Sequence, residues 1–197
     1  MPNNFVTAWH TFVTDLGISL PWPKPEGSIE QGGEKDKAIL IWGGSSSCGQ
    51  YALQILRYYG YRNIIATASP RNFELVKECG ANHVVNYGSK TFKEETEKAV
   101  GKVELVLDCI GSLEGSVRPI TSIVGEGAKV AILLPVIVRD ATEEVEPIYK
   151  MDVGKAATWP TGVEVRGVRT HFYLDVSICS MTLSDTFKCS IKSETTG

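Results

Sequence analysis

Seven small residues, Gly43-Gly44-Ser45-Ser46-Ser47-Cys48-Gly49, stand between an apolar run, AILIW (38–42), and a segment with helical apolar spacing, QYALQILRYYG (50–60). Side chains this small leave backbone N–H groups, and the start of a helix, open to an anion. Gly43, Ser46 and Gly49 stand in G-x-x-S-x-x-G spacing. Gly43 can turn the chain sharply out of the strand, and Gly49 can let the helix pack close to the sheet. Ser46 occupies the place where a glycine would bring the backbone nearest to a pyrophosphate, and its hydroxyl can itself donate to phosphate. Gly44 and Gly49 also have P-loop spacing, but Gln50 and Tyr51 stand where Lys and Ser/Thr are required. That excludes a nucleoside triphosphatase. A tight strand-to-helix turn without a ligand uses the same residue types; the strand–turn–helix context is what favours a nucleotide.

A dinucleotide site for NAD carries an Asp or Glu about 20 residues beyond the glycine turn. From Gly49 that count reaches Ser69, in TASPRN (67–72), and the nearest later carboxylate is Glu74. Ser69 is a hydroxyl donor and Arg71 a permanent cation, which suits the 2′-phosphate of NADP(H). The plainer alternative is an exposed arginine after a strand. Tyr87 is a further candidate for the same phosphate, with simple packing as its alternative. Asp108 reads as the cap of a neighbouring turn. Cys48 and Cys109 read as small buried hydrophobes, reactive only beside a helix N-terminus.

The five cysteines (48, 79, 109, 179, 189) are widely spaced without a C-x-x-C, and His10, His83 and His171 form no H-x-x-x-H pair. The expectation is a reduced, cytosolic, metal-free protein. The 197 residues are 43% hydrophobic and 22% charged, with 20 Lys+Arg against 23 Asp+Glu and a formal charge of −3. A chain so near neutral has no overall field for nucleic acid or an anionic membrane. The longest nearly unbroken apolar run, Val130–Val138, holds Pro135 and falls well short of the roughly 20 residues of a spanning helix. The N-terminal MPNNFVTAWH lacks the pattern of a secretory signal.

The elements that must carry these residues alternate. A helix is predicted over 5–16, stopped by Gly17, and a Pro- and Gly-rich surface connection over 21–37. Strands are predicted at 38–42, 63–68, 83–87, 103–111 and 128–135, with a sixth within 163–174. Helices are predicted at 50–60, 72–79 (capped by Asn72), 91–100 and 113–124. Strand–helix alternation with short connections implies a doubly wound parallel sheet of the Rossmann type, about six strands. The Ser- and Thr-rich segment 175–197 has no sustained period and reads as a poorly ordered tail. The apolar extension VAILLPVIV (130–138) allows a homodimer through a sheet edge.

Taken together, ILIWGGSSSCGQYALQIL (39–56), ATASPRNFELVKECGANHVVNY (66–87), VLDCIG (106–111) and AKVAILLP (128–135) resemble the medium-chain dehydrogenase/reductase superfamily. The likeness is to its zinc-independent quinone oxidoreductase and enoyl reductase branch, including fungal trans-acting enoyl reductases, and it covers roughly 5–174. The resemblance implies that Gly43, Gly44, Ser45, Ser46, Ser47 and Cys48 hold a pyrophosphate, and that Ser69, Arg71 and Tyr87 hold the 2′-phosphate of NADP(H). It implies that Ile110, Leu134 and Pro135 border the nicotinamide, and that Thr7 approaches the cofactor from the side of a second domain. The implied activity is hydride transfer to an activated C=C bond or a quinone of a small-molecule substrate. Relatives carry a GroES-like catalytic domain ahead of this region. The resemblance therefore makes 1–37 a remnant of that domain, 38–174 the NADP(H)-binding domain, 175–197 a tail without counterpart, and the chain an incomplete copy. No catalytic residue is assigned; His10, Tyr51 and Tyr173 are conceivable donors with structural alternatives. The alternatives to an enzyme are an NADP(H)-binding module, or partner of another chain, that turns nothing over, and a remnant without function.

Overall fold

The computed structural model describes residues 3–25 and 34–169. The alternating apolar runs become a six-stranded, all-parallel sheet. Its strands are β1 (Ile39–Trp42), β2 (Ile64–Ala68), β3 (His83–Asn86), β4 (Val103–Asp108), β5 (Val124–Leu133) and β8 (Glu164–Val168), in the spatial order β3-β2-β1-β4-β5-β8. The order reverses between β1 and β4, whose C-terminal ends open a crevice, as doubly wound sheets do.

Both faces of β1 are buried, which is why it reads as an unbroken apolar run. Ile39 and Ile41 enter one core, with α1 (Asn3–His10), α2 (Ser47–Tyr58) and α3 (Phe73–Cys79). Leu40 and Trp42 enter the other, with α4 (Phe92–Val100) and α5 (Arg118–Thr121). The helix at the N-terminus belongs to the first core: Ala8, Phe12 and Leu16 are buried beside α2. Its aromatic residues dock on that helix, with Phe5 edge-on to Tyr51 at 5.9 Å and Trp9 edge-on to Tyr59 at 5.8 Å. Tyr51 is thus a packing residue.

Several boundaries differ from the sequence reading. The helix expected from 50 begins at Ser47, because Ser46 caps it: its Oγ accepts from the Gly49 N–H at 3.1 Å. Asn72 does not cap α3 with its side chain; a single 3₁₀ turn, Pro70–Asn72, leads in, and the Asn72 amide donates to Ser69 Oγ at 3.2 Å. The helical stretch at 113–124 stops at Thr121, where turn bonds from Ser122 and Ile123 close it and β5 begins at Val124.

The run 130–138 is not an open edge. β5 lies between β4 and β8, and at Leu134–Pro135, a cis peptide, the chain leaves the sheet. Residues 136–139 (β6) then pair antiparallel with β7 (Ile148–Lys150) of the same chain, a hairpin the periodicity did not reveal. Of the sixth strand region, Glu164–Val168 pairs parallel with β5. Residues 170–174, the proposed tail 175–197, His171 and Tyr173 lie outside the described residues.

The turn after α1 carries a carboxylate in an unfavourable place. Asp15 Oδ2 is buried without a hydrogen-bond partner among the described residues. Burial pushes the Asp15 pKa up to about 6 against the opposing attraction of Arg166, whose guanidinium is engaged by Glu164 and the Thr14 carbonyl. A raised carboxyl pKa means that the folded state holds its proton longer than the unfolded chain. The contribution is full below about pH 4 and is lost as pH rises through about 6. Asp15→Asn should therefore gain thermal stability over the parent across that window and keep the gain at pH 7. A parent–variant difference in Tm that stays constant from pH 4 to 7 would contradict this.

Candidate functional site

The crevice is built on a glycine. Gly43 leaves β1 with φ +77°, and α2 starts four residues later. Gly49, in the first turn of α2, lies directly against the backbone it has just left. A Cβ there would stand 2.4 Å from the Gly43 carbonyl oxygen and 2.8 Å from Gly44 Cα. The expected division of labour between Gly43 and Gly49 is what the structure contains. Gly44 is buried as well, and its absent side chain makes room for Ala66 and Val76.

Thr67, which the sequence reading passed over, fixes the turn. It is fully buried on β2. Its Oγ1 accepts from the Gly43 N–H at 2.9 Å and its carbonyl from the Gly44 N–H at 2.9 Å. A threonine within an apolar strand was the available signal, since a buried hydroxyl must find a partner. These two amides are committed to the protein. The Gly49 amide is committed to Ser46. The first amides of a helix have no intrahelical acceptor, and those of Ser47 and Cys48 stand at the positive end of the α2 dipole.

The other wall is the end of β4. Asp108 is fully buried and acts as the cap expected of it. One carboxylate oxygen accepts from the amides of Ile110 (2.9 Å) and Gly111 (3.1 Å), the other from the Ser116 hydroxyl (2.6 Å). Burial raises its pKa while these donors oppose the shift. The knot aims the 109–111 segment back over the turn: Ile110 is 44% exposed, yet its Cδ1 lies 2.7 Å from where a Gly43 Cβ would be. Gly111 adopts φ +65°, and its carbonyl accepts from the Ile137 amide at 2.7 Å. β4 and β5 run in register, Asp108 beside Ile132, so Ile110 and the Leu134–Pro135 pair leave the sheet at the same end. Leu134 packs over Gly167, and Pro135 is exposed.

Ser69, Arg71 and Tyr87 sit at the C-terminal ends of β2 and β3. Ala68 pairs with Asn86, so Ser69 and Tyr87 follow on neighbouring strands. Arg71 and Tyr87 are exposed, and Glu74 turns to Lys77 at 2.9 Å. Ser45 offers its carbonyl to the Gln50 side chain at 2.9 Å. Thr7 is buried in α1 and bonds the Asn3 carbonyl at 3.1 Å. His10 is buried, its Nδ1 has no partner among the described residues, and burial lowers its pKa.

Residues 48–143 match the family model described as zinc-binding dehydrogenase. A trans-enoyl reductase of Penicillium citrinum (gkaC) is 31% identical over 152 residues, 77% of this chain and 39% of that one. A trans-enoyl reductase of an Acremonium species (ucsL) is 43% identical over 96 residues, 48% and 23% of the two chains. The chain therefore spans well under half the length of these curated relatives. The crystal structure of CurK enoyl reductase superposes with a TM-score of 0.65, covering 98% of this chain and 50% of that one at 18% identity, a likeness of fold. These likenesses ally the chain with the medium-chain dehydrogenase/reductase superfamily, on its enoyl-reductase-like side. The family description names zinc, but the described residues bring no three metal-ligating side chains together. The Cys109 thiol lies beside an aspartate already spent on three donors. These residues do not fit a zinc ion.

Two substitutions test how the turn is held. Thr67→Val leaves the Gly43 N–H without its acceptor and should cost about 1–3 kcal/mol in urea denaturation, while Thr67→Ser should cost much less. Gly49→Ala should destabilise more than Gly43→Ala, despite the positive φ of Gly43. The Gly49 methyl meets backbone, whereas the closest atoms to the Gly43 methyl belong to the Ile110 side chain. The reverse order would refute this account of the packing.

Proposed function

We propose that this domain binds NADP(H) across the C-terminal edge of its sheet and presents the nicotinamide for hydride transfer to an activated C=C bond or a quinone. The observation that carries the reading is the Gly43–Gly49 turn, locked by Thr67, at the head of a twelve-residue helix whose first amides, those of Ser47 and Cys48, have no intrahelical acceptor. A pyrophosphate is the anion such a cradle suits. Gly43, Gly44, Ser45 and Ser46 shape it, with the Ser46 hydroxyl accepting from the Gly49 amide. Ile110, Leu134 and Pro135 are the residues to border the ring.

The choice of NADP(H) rests on Ser69, Arg71 and Tyr87. An exposed guanidinium follows β2, and the nearest carboxylate, Glu74, is paired with Lys77. A bound nicotinamide would supply the hydride; the chain supplies orientation and a dry wall. The printed names of the fungal relatives support reduction of an enoyl group.

The full 197-residue chain should bind NADPH more tightly than NADH in calorimetric titrations. A charge-assisted contact to phosphate is worth about 1.5–3 kcal/mol, roughly 10- to 100-fold in affinity. Arg71→Ala should abolish the preference with little change for NADH. Equal affinities in the parent would refute the NADP(H) assignment. Binding without reduction of a quinone or an enoyl thioester would favour a binding module over an enzyme.

A further inference from the structure

Asn72 stands at the head of α3, where a side-chain cap is expected, yet no side-chain bond from it caps that helix. Its side chain turns back instead, and Nδ2 donates to Ser69 Oγ at 3.2 Å. The backbone draws the same two residues together, the Asn72 amide donating to the Ser69 carbonyl at 2.9 Å. Pro70, next to Ser69 in this turn, has a fixed φ and no N–H, so the turn is stiff. We propose that Asn72 is a positioning residue that sets which dinucleotide this domain takes: by filling a lone pair of Ser69 Oγ, it turns the serine proton outward, toward a 2′-phosphate. The proposal rests on the reading of Ser69, Arg71 and Tyr87 as the 2′-phosphate site.

A serine hydroxyl has one proton and two lone pairs. An N–H that occupies one lone pair directs the proton away from itself. Among the described residues, the contact with Asn72 is the only side-chain hydrogen bond of Ser69, so that proton has no protein acceptor there. Ser69 is half-buried at the C-terminal end of β2, and Arg71 and Tyr87 stand exposed around it. Arg71 makes no ion pair among the described residues, and Glu74, three residues on, is held by Lys77 at 2.9 Å. The proton and the guanidinium are both uncommitted, and both favour an oxygen that carries charge. A ribose 2′-hydroxyl can accept from Ser69 too, but as a neutral oxygen that gains nothing from Arg71. The arrangement discriminates by charge.

The side-chain amide is the part that matters. In Asn72→Asp an oxygen replaces the donating Nδ2 in a side chain of the same shape. The ionised carboxylate has no proton to give, so the bond reverses: Ser69 becomes the donor and its proton is drawn inward. The new charge stands one hydroxyl away from the phosphate position and repels it, while a carboxylate after the second strand can accept from a ribose 2′-hydroxyl. Aspartate serves as well as asparagine at the start of a helix, so the change spares the fold. Asn72→Ala removes the donor and adds no charge. Ser69 then rotates freely, and only its orientation toward the phosphate is lost.

The test is calorimetry on the full chain with NADPH, NADH and adenosine 2′,5′-bisphosphate, which probes the ribose-phosphate end without the nicotinamide, beside a melting temperature for each variant. Asn72→Ala should lower the preference for NADPH over NADH by about three- to tenfold. Asn72→Asp should lower it by roughly tenfold or more, weaken adenosine 2′,5′-bisphosphate in step, and keep the affinity for NADH. In a Ser69→Ala background, Asn72→Ala should change the preference no further, because Asn72 acts through that hydroxyl. Variants that weaken both dinucleotides alike, or that lower only the Tm, would show a structural tie and overturn the proposal. A full further loss in the Ser69→Ala background would overturn it as well. A parent that prefers NADPH, with Asn72 variants that keep the preference, removes the role of Asn72 alone. A parent without that preference removes the 2′-phosphate reading, and Asn72 with it.

Discussion

The close approach of α2 to the chain that precedes it governs the rest of the molecule. Gly49 lies on the Gly43–Gly44 backbone with no space for a methyl group. Only then can Ser46 cap the helix and Thr67 collect the two amides of the turn. Were α2 displaced by the width of a methyl group, the helix would still bury Ala52, Leu53 and Leu56. The cradle at its head would be lost. The fold and the site draw on the same contact, so the glycines of the turn cannot be assigned to stability or to binding alone.

The crevice has two walls of different character. The α2 side is held by backbone bonds and a threonine, with no ionised group in the turn itself. The β4 side is held by Asp108, a buried carboxylate sustained by two amides and one hydroxyl. Such a group is costly to bury and costly to leave partly satisfied. It therefore fixes the 109–111 segment firmly, and that segment carries both Ile110 and Cys109. The residue that reads as a mere turn cap is also what positions the second wall.

The alternation of apolar runs and helical periods made the doubly wound sheet legible, including its strand number, because parallel strands buried on two faces leave an unmistakable unbroken signature. Gly43 and Gly49 were legible for the same local reason: each satisfies a backbone demand that no other residue meets as well. The β6–β7 hairpin was not legible. Residues 130–138 are apolar throughout, and only the turn at Leu134–Pro135 shows that they divide between two sheets. The early start of α2 was hidden too, since a run of serines can be loop or helix until a cap bond forms.

What the sequence by itself determined is therefore local: the elements, the small-residue turn, the absence of a carboxylate after β2, and the cation at Arg71. These follow from backbone sterics and from periodicity within a few residues. What only the tertiary structure decided is pairwise and distant in sequence. Thr67 serves a turn 24 residues away. Asp108 gathers its donors from the turn after its own strand and from Ser116. Asp15 Oδ2 has no hydrogen-bond partner among the described residues because the chain around it closes over that oxygen. No composition or spacing encodes these meetings, because they depend on which strand ends the parallel register brings together.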